Sequence, residues 1–289
     1  MCNEKQVENW AKAMVSRRQF GLAAGASAAV GSLAGCTTMG GTGALTESMV
    51  SIPTGAGMMD AFFVRPVGTD SPAVLFWPDI AGIRESKRQM ARRLAGEGYA
   101  VLVANPYYRD VTANQFADFA SFAADGGFQK VRPWRQKLDA EAIMADARAV
   151  IAWLDRQDGV DSSAGVGTQG YCMGGPFAVW TAAAVPSRVR AAASFHGGGL
   201  VREGDPMSPH NTFDDAQASY LIAIAQDDAE EAPDEERIIA NAAQAAGRPA
   251  EVDVYAGDHG WTVPDSPSYA REAAERAYAD LISLYAGAL

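Results

Sequence analysis

Cys172 lies in Gln169-Gly-Tyr-Cys-Met-Gly-Gly-Pro-Phe177, flanked by glycines at 170, 174 and 175, after a short apolar run and before a helix-like one. A buried structural thiol needs no such neighbours. A nucleophile on a sharp strand-to-helix turn does, because only small residues tolerate the close backbone approach that lifts the central side chain above the sheet. The helix that follows favours an anion at its start, which lowers the thiol's pKa. The amide of Met173 then points toward the place where an oxyanion would form.

A thiolate nucleophile needs a base and a carboxylate to orient that base. The 289-residue chain has three histidines, His196, His210 and His259. Elbow-type sites order the partners along the chain as nucleophile, acid, histidine. His259, in Ala256-Gly-Asp-His-Gly-Trp261, follows the last expected strand and fits the base. Asp227 ends Leu221-Ile-Ala-Ile-Ala-Gln-Asp227 and is the expected acid, with Asp228 a rival one position on. His196 follows a strand but precedes the acid, so it reads as pocket lining. His210, in a Pro- and Asp-rich loop, reads as a surface residue, and Asp258 as a loop carboxylate.

Strand-like and helix-like segments alternate around these residues. Strands are expected at Met58–Arg65, Ala73–Trp77, Tyr99–Ala104, Gly165–Thr168, Val189–Phe195, Leu221–Ala225 and Glu251–Tyr255. Helices are expected at Arg84–Glu97, Leu138–Arg156, Gly174–Ala184, Glu235–Ala246 and Ser268–Tyr285. The continuous apolar run Tyr99–Ala104 is that of a strand buried on both faces. Alternation of this kind implies an α/β fold: a mainly parallel central sheet with helices on both faces. Thr112–Arg135 breaks the rhythm with Phe116, Phe119, Phe122, Phe128 and Trp134 around Gly126-Gly127. It reads equally as a lid over a pocket or as ordinary surface packing.

The leader is set apart from the fold. Ser16-Arg17-Arg18-Gln-Phe20 resembles a twin-arginine export signal, with Gly21-Leu22 where Leu-Lys is usual. Leu33-Ala-Gly-Cys36 resembles a lipobox whose cysteine is lipidated. The expected organisation is therefore an export signal over 1–36, a linker over 37–46 and one domain over 47–289. Export to the periplasm, with an optional lipid anchor at Cys36, would leave Cys172 without a disulfide partner in its own chain. A net charge of −11 argues against nucleic-acid binding. The cysteines at 2, 36 and 172 have no metal-type spacing, so neither metal nor other cofactor is expected.

From about Ser48 to the C-terminus the chain resembles the dienelactone hydrolases, α/β-hydrolases with a Cys-His-Asp triad. The resemblance is carried by Gly170-Tyr-Cys-Met-Gly-Gly175, Ala225-Gln-Asp227 and Asp258-His-Gly-Trp261. Pro78-Asp-Ile-Ala-Gly82 and Ala104-Asn-Pro-Tyr-Tyr-Arg109 add to it. It implies an α/β-hydrolase fold, a carboxymethylenebutenolidase-like reaction on an ester or lactone, and an acid at Asp79 contacting the resting cysteine. It further implies that the amide of Ile80 joins that of Met173 in the oxyanion hole, and that Arg109 is one of two arginines holding a substrate carboxylate. The sequence departs from the family in carrying Asp79 where glutamate is usual, and Val263 where the second arginine would stand. With one clamp missing, a less charged substrate is expected on Trp77, Tyr107, Tyr108 and Trp261. The alternatives are a thioester or small-peptide hydrolase on the same residues, or a non-catalytic thiol-based sensing or binding lipoprotein. A disulfide oxidoreductase would lack a second free cysteine once the leader is removed and Cys36 is lipidated.

Overall fold

The computed structural model describes residues 43–289. The segment read as an export signal, Cys36 and most of the segment read as a linker therefore lie outside the described residues. Eight strands form one sheet: β1 (Leu45–Thr54), β2 (Gly57–Pro66), β3 (Ala73–Trp77), β4 (Ala100–Ala104), β5 (Val166–Tyr171), β6 (Val189–Phe195), β7 (Ser219–Ala225) and β8 (Ala250–Tyr255). Their spatial order is β1-β2-β4-β3-β5-β6-β7-β8. β1, β2 and β4 pair antiparallel, and the rest of the sheet is parallel. β3 and β4 are buried along their whole length, as continuous apolar runs require.

β1 was not expected from the sequence, and it takes up the last two residues of the segment read as linker. Only Ile52 of this edge strand is buried, so no apolar alternation marks it. It is held as a strand by its ten-residue hairpin register with β2.

Helices cover both faces. On one side α4 (Ala140–Leu154), α5 (Gly174–Ala184) and α7 (Glu235–Ala245) pack through residues such as Ile143, Val150, Trp180 and Ile239. On the other, α1 (Glu85–Gly96) and α8 (Arg271–Ala288) pack through Ala91, Leu94, Ala277 and Leu281. The Thr112–Arg135 segment folds into α2 (Phe119–Ala124) and α3 (Gly127–Arg135). Asp118 caps α2 by accepting from Ser121 N at 2.7 Å. The aromatic excursion makes a third apolar cluster, in which Phe116, Phe119, Phe122 and Val131 enclose Ile80, Ala81 and Tyr107. A short α6 (Gln226–Glu231) follows β7 directly. Among the described residues no helix is long and apolar enough to cross a membrane.

Candidate active site

Cys172 stands at the carboxyl end of β5, two residues before α5, with φ of 54°. That left-handed backbone is rare for a residue with a side chain. It persists because the surroundings fix it: Cys172 N donates to Phe195 O at 3.0 Å, and Cys172 O accepts from Gly175 N at 3.0 Å. The flanking glycines are obligatory. A Cβ on Gly170 would stand 1.8 Å from Gly174 O, and one on Gly174 would stand 2.5 Å from Trp77 O.

His259 lies in the loop after β8 and is 2 % exposed. Its Nδ1 is 2.7 Å from Asp228 Oδ2, so Nδ1 carries the proton, which the carboxylate accepts. The carboxylate on the imidazole is thus that of Asp228, and the expectation of Asp227 is corrected. Asp227 Oδ1 instead accepts from the main-chain N of His259 at 2.7 Å and from Asp228 N at 3.0 Å. Both residues lie in α6, where successive side chains fan about 100° apart, so only one of them faces the ring. Burial and the neighbouring Asp228 raise the pKa of Asp227.

Cys172, His259, His196, Ile80, Asp79, Phe119 and Val263 line one small cavity of about 20 Å³. His196 is a lining residue, as expected, at φ 41°. Its ring is 5.0 Å from that of His259, and its Nε2 is 2.9 Å from Thr262 Oγ1. Burial, and then the adjacent His259, hold its pKa well below the ordinary histidine value, so it is neutral. His210 is partly buried, with Nδ1 2.8 Å from Ser208 Oγ, rather than solvated on the surface. Ile80 and Met173 line the same cavity as Cys172, and their main-chain N–H groups donate to no main-chain oxygen among the described residues. Tyr107 fixes that pair from behind, donating to Ile80 O at 2.8 Å and approaching Met173 Sδ at 3.4 Å.

Several expected substrate contacts belong to the framework instead. Arg109 forks onto Asp146 of α4 at 2.7 and 2.9 Å and lines neither cavity at Cys172. Trp261 is fully buried, packed edge-on to His196 at 5.2 Å and stacked on Tyr255. Trp77 is likewise fully buried and donates from Nε1 to Thr181 Oγ1 at 2.9 Å. Tyr108 donates to Asp146 at 2.6 Å. All four hold elements together and offer no apolar wall to a ligand.

Asp79 is not a lone acid beside the cysteine. Its Oδ1 accepts from Arg84 Nη1 at 2.7 Å and its Oδ2 from Arg84 Nη2 at 2.9 Å. Lys87 Nζ is 2.7 Å from Oδ2, close in distance although poorly aligned for a hydrogen bond. Despite its burial, the Arg84 and Lys87 charges hold the Asp79 carboxyl below the usual carboxylate range. Sequence reasoning did not pair these two cations with Asp79: Arg84 immediately precedes α1 and Lys87 lies in its first turn, where charged residues read as a solvated face.

A second cavity of about 90 Å³ opens from Cys172 between α3 and α5. Ile80, Leu138, Met173 and Phe177 wall it, and Arg135 and Arg202 border it. Arg202 donates to Gly199 O at 3.0 Å and lies over Trp180 at 4.8 Å, with its nearest carboxylate, Asp205, 3.7 Å away. Burial lowers its pKa. Among the described residues no group of three or more His, Cys, Asp or Glu side chains is placed to hold a metal ion.

A mostly parallel eight-stranded sheet, a left-handed elbow at the end of its middle strand and a histidine after the last strand define an α/β-hydrolase. Residues 59–289 match the family model described as "Dienelactone hydrolase family". The chain belongs to that family and is a dienelactone-hydrolase-like hydrolase. It is 27 % identical over 250 residues to a Salmonella typhi protein named "Putative carboxymethylenebutenolidase", covering 84 % of this chain and 88 % of that one. It is 29 % identical over 118 residues to the carboxymethylenebutenolidase of Rhodococcus opacus, covering 41 % of each. The crystal structure of the "Putative Dienelactone Hydrolase" from Klebsiella pneumoniae superposes with a TM-score of 0.72 at 28 % identity, over 84 % of this chain and 99 % of that one.

Proposed function

We propose that this hydrolase cleaves a carboxylic ester or lactone through a thioester on Cys172. The observation that carries the reading is that His259, paired through Nδ1 with Asp228, borders the same cavity as the elbow thiol. With Nδ1 bound to Asp228, His259 Nε2 takes the thiol proton. Sγ then attacks the carbonyl carbon, and the electron pair moves onto its oxygen, where the Ile80 and Met173 amides hold the oxyanion. Collapse breaks the carbon–oxygen bond, and the leaving alkoxide takes the proton from His259. Water next gives a proton to Nε2 and attacks the thioester, releasing a carboxylic acid and restoring the thiol. The Asp228 carboxylate orients the ring and stabilises the imidazolium.

Arg135 and Arg202 favour a substrate that carries a carboxylate of its own, seated in the larger cavity. This reading reverses the expectation of a neutral ester, which followed from Val263 and from Arg109. Two guanidiniums bordering an apolar cleft offset the cost of desolvating an anion, which a single cation would leave incomplete.

The test is a panel of carboxylate-bearing lactones and neutral aryl esters, assayed with wild type, Cys172→Ala and Arg135→Ala/Arg202→Ala. Cys172→Ala should abolish turnover, and iodoacetamide should do the same. The double arginine variant should lose tenfold or more in kcat/KM on the anion and less than threefold on the neutral ester. Turnover by Cys172→Ala would refute the covalent route. Equal losses on both substrates would refute the carboxylate seat.

A further inference from the structure

Arg84 is 1 % exposed, yet every N–H of its guanidinium has an acceptor. Nε and Nη2 reach Asp265 at 2.7 and 2.9 Å, Nη1 and Nη2 reach Asp79 at 2.7 and 2.9 Å, and Nη1 also reaches Gly82 O at 3.3 Å. One side chain therefore clamps two loops. Asp79 immediately precedes the oxyanion amide of Ile80, while Asp265 lies six residues beyond His259. Asp265 Oδ2 has a further partner, the main-chain N of Phe119 at 3.0 Å, at the first turn of α2. The Phe119 ring borders the thiol cavity and lies 5.7 Å from the Arg84 guanidinium.

We propose that Arg84 and Asp265 form a latch that holds α2 closed over Cys172 and, in the same set of bonds, aligns the oxyanion loop with the histidine loop. Neither residue is catalytic. Both are positioning residues, acting through Ile80, His259 and Phe119. The bond from Phe119 is the weakest member, a single neutral donor on a carboxylate that is 20 % exposed, whereas both Arg84 pairs are bidentate and charge-assisted and the one with Asp79 is buried. Opening therefore occurs at α2, and the Arg84–Asp79 pair stays formed. This links the lid to catalysis: a closed α2 excludes water from the cavity and completes the site.

The inference rests on Cys172 being the nucleophile, and its test separates the two claims. In the full chain, the alkylation rate of Cys172 by iodoacetamide is followed across pH by mass spectrometry of the Cys172 peptide. Turnover of a neutral aryl ester is measured in parallel, well below the melting temperature. Asp265→Ala should speed alkylation fivefold or more at every pH without moving the midpoint of the profile, while kcat falls at least tenfold. Asp265→Asn keeps an acceptor for Phe119 N and should fall between wild type and Asp265→Ala in both readouts. Arg84→Lys keeps the charge but cannot span both carboxylates, and should lower kcat more than it changes KM. If Arg84→Lys does not fold, the two Asp265 variants decide the matter. Unchanged or slower alkylation in Asp265→Ala overturns the latch. So does a faster rate that comes with a displaced midpoint, which would mean altered thiol acidity rather than access. Turnover surviving in Cys172→Ala overturns the nucleophile assignment instead, and leaves the labelling comparison readable.

Discussion

Asp227 and Asp228 are adjacent carboxylates with different partners, and the difference is measurable. Asp228 meets the imidazole nitrogen, and Asp227 meets the backbone that carries it. Asp228→Asn should cost at least 10²-fold in kcat, since an amide facing Nδ1 favours the wrong tautomer. Asp227→Asn keeps an acceptor for the His259 amide and should cost less than tenfold; the reverse ranking would restore Asp227 as the orienting acid. Lys87 gives a second residue-scale expectation. Its ammonium is fully buried beside Asp79, Arg84, Tyr171 and His196, and burial lowers its pKa from 10.5 to about 8. Between those values the unfolded chain binds a proton that the folded chain has lost, so stability from this group rises with pH. The burial cost is fully present below about pH 8. Thermal melts of wild type and Lys87→Met should therefore diverge in favour of wild type from pH 8 to 10; parallel curves would refute a depressed Lys87 pKa.

At the scale of the element, the β5–α5 turn and the α2–α3 excursion divide the labour. The turn is rigid by construction, because two glycines admit backbone at distances that no Cβ permits. Gly170→Ala should destabilise by more than about 3 kcal/mol, beyond the ordinary cost of over-packing. Gly96, at the end of α1, is different, since a Cβ on it would meet nothing within 4 Å. Gly96→Ala should stabilise by roughly 0.5–1 kcal/mol. Chemical denaturation of the two variants checks both signs. The α2–α3 excursion is built on an aromatic cluster that packs on Ile80, Ala81 and Tyr107, and it lines the two cavities at Cys172 through Phe119 and Arg135. That cluster is separate from the two that cover the sheet, so the segment can shift without disturbing the sheet.

For the whole molecule, the parallel half of the sheet delivers the chemistry to one edge. Asp79, Cys172, Asp228 and His259 all follow the carboxyl ends of strands β3, β5, β7 and β8, where open α/β sheets bind ligands. The leader raises a separate matter of where this chemistry takes place. On the strength of Arg17-Arg18 and Leu33-Ala-Gly-Cys36, we propose export and anchoring through lipid on Cys36. Fractionating cells that express the full chain tests it. Arg17→Lys with Arg18→Lys should retain the protein in the cytoplasm, and Cys36→Ala should release it from the membrane fraction. An unchanged distribution in both variants would refute the proposal.

Cys172, His259, the elbow and the α/β alternation were legible in the sequence because local rules specify them: glycine spacing, apolar runs and chain order. Those rules do not reach across elements. Whether Asp227 or Asp228 meets His259 depends on the phase at which α6 starts, a matter of one residue of helical rotation. Arg109 kept the position that the family resemblance gives it, yet Asp146, 37 residues away in the chain, claims its guanidinium. Arg84, already paired with Asp79, meets Asp265 across a separation of 181 residues, and no spacing pattern announces such a pair. The edge strand β1 exists through its register with β2, since its own side chains are mostly solvated. The sequence by itself determined which thiol and which imidazole stand at the carboxyl ends of the strands. Tertiary packing decided which charges meet, because a buried ion pair forms wherever desolvation demands a partner and the fold supplies the nearest one.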